Sequence, residues 1–184
     1  LGGLSGCSLP PLGFPWEVLS NKPFNHMKRT LIATLLSFGI ASGANLGFAN
    51  DKKEPKVDQT VSITGNDTMQ YDVKVFEVKA GSKVKLVLKN IGKVPKIAMG
   101  HNVVILKKGV TAIAFGQKAL GAGANALNAL PDSVKGDTLA HTKLLGPGES
   151  DTIIFTAPKE AGDYEYVCTF PGHFALMRGK MTVK

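Results

Sequence analysis

Cysteine is scarce in this chain, with two residues in 184, Cys7 and Cys168, and so few thiols cannot staple a small disulfide fold. Aromatic residues make up 7% and there is a single tryptophan. Although lysine and arginine outnumber the acids to give a net charge of +8, the basic residues are scattered singly. No block of them interleaves with aromatics, so nucleic-acid binding is not expected and the lysines read as a solvated outer face. The apolar run Leu31 to Ile40 is too short, and too broken by small polar residues, for the roughly 20 residues that span a bilayer. There is no internal repeat and no low-complexity tract.

That apolar run has a different meaning in its context. Met27-Lys28-Arg29 supplies a positive start, the run follows, and Gly47-Phe48-Ala49 puts small residues at the two positions a signal peptidase reads before Asn50. Residues 27–49 therefore match a secretory signal peptide, and no stable membrane anchor is expected. Lys52, Lys53 and Lys56 leave an uncleaved N-terminal anchor as the alternative. Residues 1–26 show no useful periodicity and are expected to be an untranslated or non-native upstream segment. Leu4-Ser5-Gly6-Cys7 spells a lipoprotein-processing sequence, but no charged and apolar lead precedes it, so it reads as chance. Cleavage after Ala49 would leave a domain at 50–184. Removing Lys22, Lys28, Arg29 and Glu17 from the totals leaves 19 basic against 13 acidic residues there, a net of +6, with Cys168 the one cysteine. A lone thiol in an oxidising compartment is liganded, catalytic or a hazard.

Within 50–184 the composition favours an all-β fold. Val, Ile and Thr recur in short alternating runs separated by Gly, Pro, Asn and Asp. The expected strands are Val57–Ile63, Tyr71–Val78, Lys83–Lys89, Val103–Leu106, Thr138–Leu145, Asp151–Thr156, Tyr164–Cys168 and Lys180–Lys184. That is about eight strands at sandwich-like spacing. Val84, Leu86 and Leu88 point one way between lysines, the pattern of a half-buried antiparallel strand. Val103–Leu106 is apolar throughout and reads as buried on both faces. From Lys107 to Lys135 the two-residue period is lost, and Ala112 to Leu130, rich in Ala, Leu and Gly, is expected to hold a short helix within Gly116–Leu130, weakened by Gly121 and Gly123.

The chemistry concentrates between Tyr166 and Gly179. Cys168, His173 and Met177 fall within ten residues, and Pro171-Gly172 breaks the strand so that all three side chains can turn to one centre. One thiolate, two imidazoles and a long thioether make the ligand set of an electron-transfer copper site. Of the two other histidines in the domain, His101 precedes a buried strand that would hold its ring still, whereas His141 alternates beside charge and reads as a surface residue. Taken singly, each residue has a plain role: Cys168 a small hydrophobe, Met177 a core filler, His173 a solvated loop residue. A Cys-His hydrolase is the enzyme alternative, but it needs a base within reach, an oxyanion hole and a cleft, none of which is visible. Structural zinc avoids thioether.

Cys-Thr-Phe-Pro-Gly-His-Phe-Ala-Leu-Met at 168–177, Met-Gly-His-Asn at 99–102, Gly65-Asn66-Asp67 with Met69-Gln70, and Ala140-His141-Thr142-Lys143-Leu144 together resemble the azurins, periplasmic blue copper proteins of the cupredoxin family. The resemblance implies a Greek-key β-sandwich or barrel and one type 1 copper, Cu(I)/Cu(II). The metal would be held by His101, Cys168 and His173, with Met177 on one side and the Gly100 carbonyl on the other. It implies that Asn102 braces the site, donating toward the cysteine sulfur or tying the two ligand loops together, alongside the Phe170 backbone N–H. It implies a monomeric periplasmic electron carrier, not an enzyme, with copper delivery or buffering as the rival function. Its partners would be redox proteins such as c-type cytochromes or periplasmic reductases, met through an apolar rim around His173 of Met69, Val94, Met99, Phe170, Pro171, Phe174 and Leu176. The chain departs from that family where Gln59 and Ser82 replace a disulfide and Val103 replaces a buried tryptophan, which leaves Trp16 outside the domain.

Overall fold

The computed structural model describes residues 56–184. The segments 1–26 and 27–49, Cys7 and the cleavage position lie outside the described residues. Among the described residues no helix is long and apolar enough to cross a membrane.

Two sheets face each other. The first has the order β2-β1-β4-β7, from Gln70–Tyr71, Gln59–Asn66, Lys83–Asn90 and Ser150–Thr156. The second has the order β3-β9-β8-β5-β6, from Val75–Val78, Arg178–Val183, Gly162–Val167, Val104–Leu106 and Thr138–His141. Alternation drives the assembly, since Val61, Ile63, Val84, Leu86 and Leu88 of the first sheet and Val78, Ile105, Tyr164, Tyr166 and Met181 of the second are all buried in one cluster between the layers. Strand β4 pairs antiparallel with β7, as its pattern suggested, and parallel with β1 on its other edge. Strand β5 is buried on both faces: Ile105 points into the inter-sheet core while Val104 and Leu106 point outward into a second cluster.

The expected single strand over Tyr71–Val78 is two strands in different sheets. Asp72 is the reason. Its carboxylate accepts hydrogen bonds from the Thr64 and Val73 amides at 2.6 and 2.8 Å, which ends pairing with β1 and lets the chain cross to lie parallel with β9. Strand β1 also runs further than expected, because Gly65 and Asn66 pair with Tyr71 and Gln70. The turn falls at Thr68-Met69, where Met69 has a positive φ of 56°.

The excursion outside the second sheet holds helix α2 at Ala112–Gly121, earlier than the expected 116–130. The buried residues Ala112, Phe115, Gly116 and Ala119 follow an i, i+3, i+4, i+7 stripe, the helical period that alanines and glycines make faint in a sequence. Thr111 caps the N-terminus, its hydroxyl accepting from the Ala114 amide at 3.4 Å, and Gly123 at φ 91° turns the chain away after the last turn. A four-residue helix, α1 at Lys96–Met99, interrupts the loop before His101.

Neither Gln59 nor Ser82 is idle where a disulfide is absent. The Gln59 amide donates to the Glu77 carbonyl at 2.7 Å and the Ser82 hydroxyl to the Lys79 carbonyl at 2.6 Å, bonds worth about 1 kcal/mol each. The burden of stability therefore falls on the inter-sheet core. Leu86, fully buried at the centre of β4, is expected to cost about 2–5 kcal/mol when cut to alanine. Urea denaturation of Leu86→Ala would show this as a lowered midpoint.

Candidate metal centre

At one end of the sandwich two segments meet. The first is the approach to β5. Asp67 accepts from the Lys93 amide at 2.7 Å, and Asn90, completely buried, accepts from the Gly92 amide at 2.8 Å and donates to the Leu145 carbonyl at 3.2 Å. These bonds pin the loop ahead of α1. His101 then forms a two-way backbone bridge with Leu145, at 3.0 and 2.8 Å. Its ring is fixed by a backbone that belongs almost to the sheet.

The second segment is the loop between β8 and β9. Gly172, at φ 81°, sits in the left-handed region, which glycine enters without strain. The chain reverses there, and the Cys168 amide donates to the Met177 carbonyl at 2.9 Å while the Met177 amide donates to the His173 carbonyl at 2.8 Å. The three side chains expected to converge do so.

The ligating atoms of His101, Cys168 and His173 lie within 4.8 Å of one another, all in buried residues. Cys168 Sγ is 3.6 Å from His173 Nδ1 and 3.9 Å from the Gly100 carbonyl oxygen, and the two imidazole centroids are 5.2 Å apart. Met177 enters from beside His101. A Cβ on Gly65 would stand 2.7 Å from the Met177 methyl and 3.3 Å from His101 Cδ2, so the thioether and the ring edge share the space that glycine leaves. His141, by contrast, lies exposed on β6, as expected of a surface residue.

The residues fit a metal ion on their own chemistry. Both nitrogens of His101 are buried without a hydrogen-bond partner, alone among the side-chain nitrogen and oxygen atoms of the described residues. An orphaned buried polar atom costs about 1–3 kcal/mol, a cost that coordination of one nitrogen would remove. A soft thiol, two imidazoles and a thioether suit copper better than the hard cations.

Burial controls the protons. It lowers the His101 pKa, opposed by the Asn66 carbonyl, which faces the ring outside bonding geometry, and by the Asp67 carboxylate. His173 is lowered to about 4, by burial first and by His101 second. The Cys168 thiol is pushed up to about 12 by burial, against the opposing pull of the Asn102 and Phe170 backbone N–H groups aimed at the sulfur. In metal-free protein at neutral pH the site is therefore a neutral thiol beside two neutral imidazoles. This is the reverse of the thiolate–imidazolium pair a cysteine hydrolase uses.

Asn102 does both things its alternatives offered. Its backbone N–H points at the sulfur, and its side chain clamps the two segments together, donating to Thr169 Oγ1 and accepting from the Thr169 amide, both at 2.9 Å. Its carbonyl receives the Tyr71 hydroxyl. Thr169 and Gly65 stand within the motifs that carry the resemblance and Tyr71 reads as an ordinary strand residue, but the roles of all three exist only across the fold.

The expected rim residues differ in their exposure. Met69, Val94, Met99 and Pro171 are half-buried and Leu176 is exposed, and Phe170 stacks its ring 4.5 Å from that of His173. Phe174 is half-buried as well. It packs against the second core cluster, where Gly116 admits it.

Residues 57–184 match the copper-binding proteins of the plastocyanin/azurin family. Over 126 residues, 65% of this chain and 93% of the relative, the chain is 43% identical to azurin-2 of Alcaligenes xylosoxydans xylosoxydans. It is 42% identical over 124 residues, 66% of each chain, to the outer membrane protein H.8 of Neisseria gonorrhoeae. Among solved structures, the dithionite-reduced auracyanin of Roseiflexus castenholzii superposes with a TM-score of 0.59 at 36% identity, covering 70% of this chain and 99% of that one.

The depressed imidazole pKa has a consequence for stability. The unfolded chain binds protons near 6.5 while folded His173 resists them to about 4. Stability is therefore complete above pH 6.5 and drains as pH falls toward 4, by about 3 kcal/mol for this one group. Urea midpoints of metal-free protein at pH 7 and pH 4 should differ in this direction, and His173→Gln should flatten the difference.

Proposed function

Since the chain belongs to the plastocyanin/azurin family of copper-binding proteins and carries electrons on a type 1 copper centre, as its azurin relatives do, we propose that it is a monomeric periplasmic shuttle between redox proteins. Copper, when bound, supplies the one-electron Cu(II)/Cu(I) couple. Everything else is done by the protein. His101, Cys168 and His173 would hold the copper in this reading, with the Met177 thioether and the Gly100 carbonyl as weaker contacts. Asn102 and Phe170 direct their N–H groups at the thiolate sulfur, and such outer contacts tune a metal site's potential and hold its ligands.

The observation that carries the reading is the burial of the ligand set in a hydrogen-bonded frame. His101, Cys168 and Met177 are completely buried, and His173 retains 3% exposure. The backbone bridges to Leu145 and between Cys168 and Met177 oppose the ligand movement that would otherwise accompany each change of oxidation state. Of the two ligand imidazoles, His101 is completely buried and His173 is the one that reaches solvent, so it is the exit for the electron. Met99, Pro171 and the exposed Leu176 surround it with apolar surface, and electron-transfer encounters are small and quickly released.

Copper binding must release the Cys168 proton, so affinity rises with pH. An enzymatic role for Cys168 finds no support in a buried neutral thiol, and the family's members are electron carriers. Copper delivery or buffering differs from this reading in one measurable respect, which is transfer of the metal itself to an apo-acceptor.

Adding copper(II) to the purified domain is expected to give one intense visible absorption band that bleaches on reduction and returns on oxidation. Cys168→Ser should abolish the band. A colourless copper complex in the parent protein, or an unchanged band in the variant, would overturn the assignment. Leu176→Glu should slow electron exchange with a redox protein while leaving the band in place, because it alters the rim and not the ligands.

A further inference from the structure

We propose that helix α2 is a splint for the ligand loop, with Phe174 as a peg seated in a notch that only glycine at position 116 leaves open, and that this seat fixes the His173 imidazole relative to Cys168. The inference rests on the metal-centre reading above and adds positioning residues to it.

Gly116 lies in the interior of α2 and is buried. Glycine there destabilises a helix interior relative to alanine. Its backbone is not in the positive-φ region that gives glycine a conformational role, unlike Gly123 or Gly172. What position 116 requires is the missing side chain. A Cβ there would stand 2.2 Å from Phe174 Cγ and 2.3 Å from Phe174 Cβ, distances no real contact allows, so the Phe174 side chain rests directly on the helix backbone.

The helix also holds the other arm of the loop. Glu165, three residues before Cys168, accepts a hydrogen bond from the Ala112 amide at the first turn of α2, at 2.7 Å. Val167, immediately before Cys168, is completely buried in the same cluster as Ala112, Phe115 and Ala119, against which Phe174 packs. One rigid element thus grips the residue before Cys168 and the residue after His173.

Between those grips the loop contains its own pivot. Gly172 stands directly before His173 in the left-handed region, and the loop's internal bonds from Leu176 and Met177 both end on the His173 carbonyl. They fix the backbone after that residue, and its own amide donates to the Phe170 carbonyl at 3.0 Å before it, so the turn is held by backbone bonds and Phe174 adds the side-chain anchor against its rotation about the glycine. Without the peg the imidazole gains a range of positions relative to the thiol, and ligation must then select among them.

The test is a double-mutant cycle with Gly116→Ala, Phe174→Ala and the pair. Each single variant should lower copper(II) affinity about 10–100-fold, the usual range for outer contacts of a metal site, and shift the visible band. In metal-free protein each should accelerate amide hydrogen exchange at Leu176 and Met177, with exchange in β4 unchanged. Adding Gly116→Ala to Phe174→Ala should cost little more, because the collision partner is gone. If Gly116→Ala fails to fold, Phe174→Leu supplies a shortened peg in the intact notch, with an intermediate loss expected. Unchanged affinity, band and exchange in Phe174→Ala would overturn the proposal, as would an effect of Gly116→Ala that is equally large with alanine at 174. If the parent protein shows no blue band, the metal-centre reading fails, and the metal-free exchange data still decide whether the peg orders the loop.

Discussion

The structure depends on keeping a thiol and two imidazoles together in a place where none of them is comfortable. Their ligating atoms share a 4.8 Å neighbourhood, all in buried residues. Burial pushes the Cys168 proton affinity up and both imidazole affinities down. Every group is thereby held neutral without a metal, and His101 has no hydrogen-bond partner at all. Such a cluster opposes folding by several kcal/mol on ordinary penalties for buried polar groups. The two-layer core, the clamp between Asn102 and Thr169 and the bridge between His101 and Leu145 offset that cost before any ion arrives.

The preorganisation explains why the ligands come from two kinds of backbone. His101 is welded to a strand neighbour, and Asn102 links that segment to the residue after Cys168. His173 sits on a loop that reverses at a left-handed glycine and is closed by its own hydrogen bonds. A loop is needed because His173 must approach the surface, and a loop left to itself would be too loose for a metal whose two oxidation states prefer different geometries. Packing the loop's flank on helix α2 reconciles the two demands. The helix, an excursion from the sheet in topology, becomes part of the site through Gly116 and Phe174.

The same physics indicates how the domain manages without a disulfide. Cross-linking typically contributes about 2–4 kcal/mol, and the Gln59 and Ser82 bonds replace part of that at the far end of the sandwich. Exposed ion pairs add little, since pairs such as Lys118–Asp137 and Lys180–Asp163 are half-exposed and such pairs are worth about 0–1 kcal/mol. The apolar contact between layers, centred on Leu86, Leu88, Tyr166 and Met181, remains the main source of stability.

What the sequence by itself determined is whatever depends on local pattern. Alternation in Lys83–Asn90 and continuous apolarity in Val103–Leu106 marked one-sided and two-sided burial, because a strand's side chains alternate faces whatever its partners. Cys168, His173 and Met177 could be grouped because a turn at Pro171-Gly172 makes neighbours of residues a few positions apart. His101 could be singled out because it precedes a buried strand, whereas the Gly100 carbonyl was reached through resemblance, since a backbone oxygen 68 residues before Cys168 carries no local sign of contact with it. The helix was misplaced because alanine and glycine give a faint stripe, and the Tyr71–Val78 run was read as one strand because Asp72's diversion depends on Thr64. Only the tertiary structure decided that Phe174 packs on helix α2, that Gly65 makes room for Met177 and that Gly116 receives a ring. Each of these is a question of which atoms occupy the same space, and that is answered only when distant segments pack.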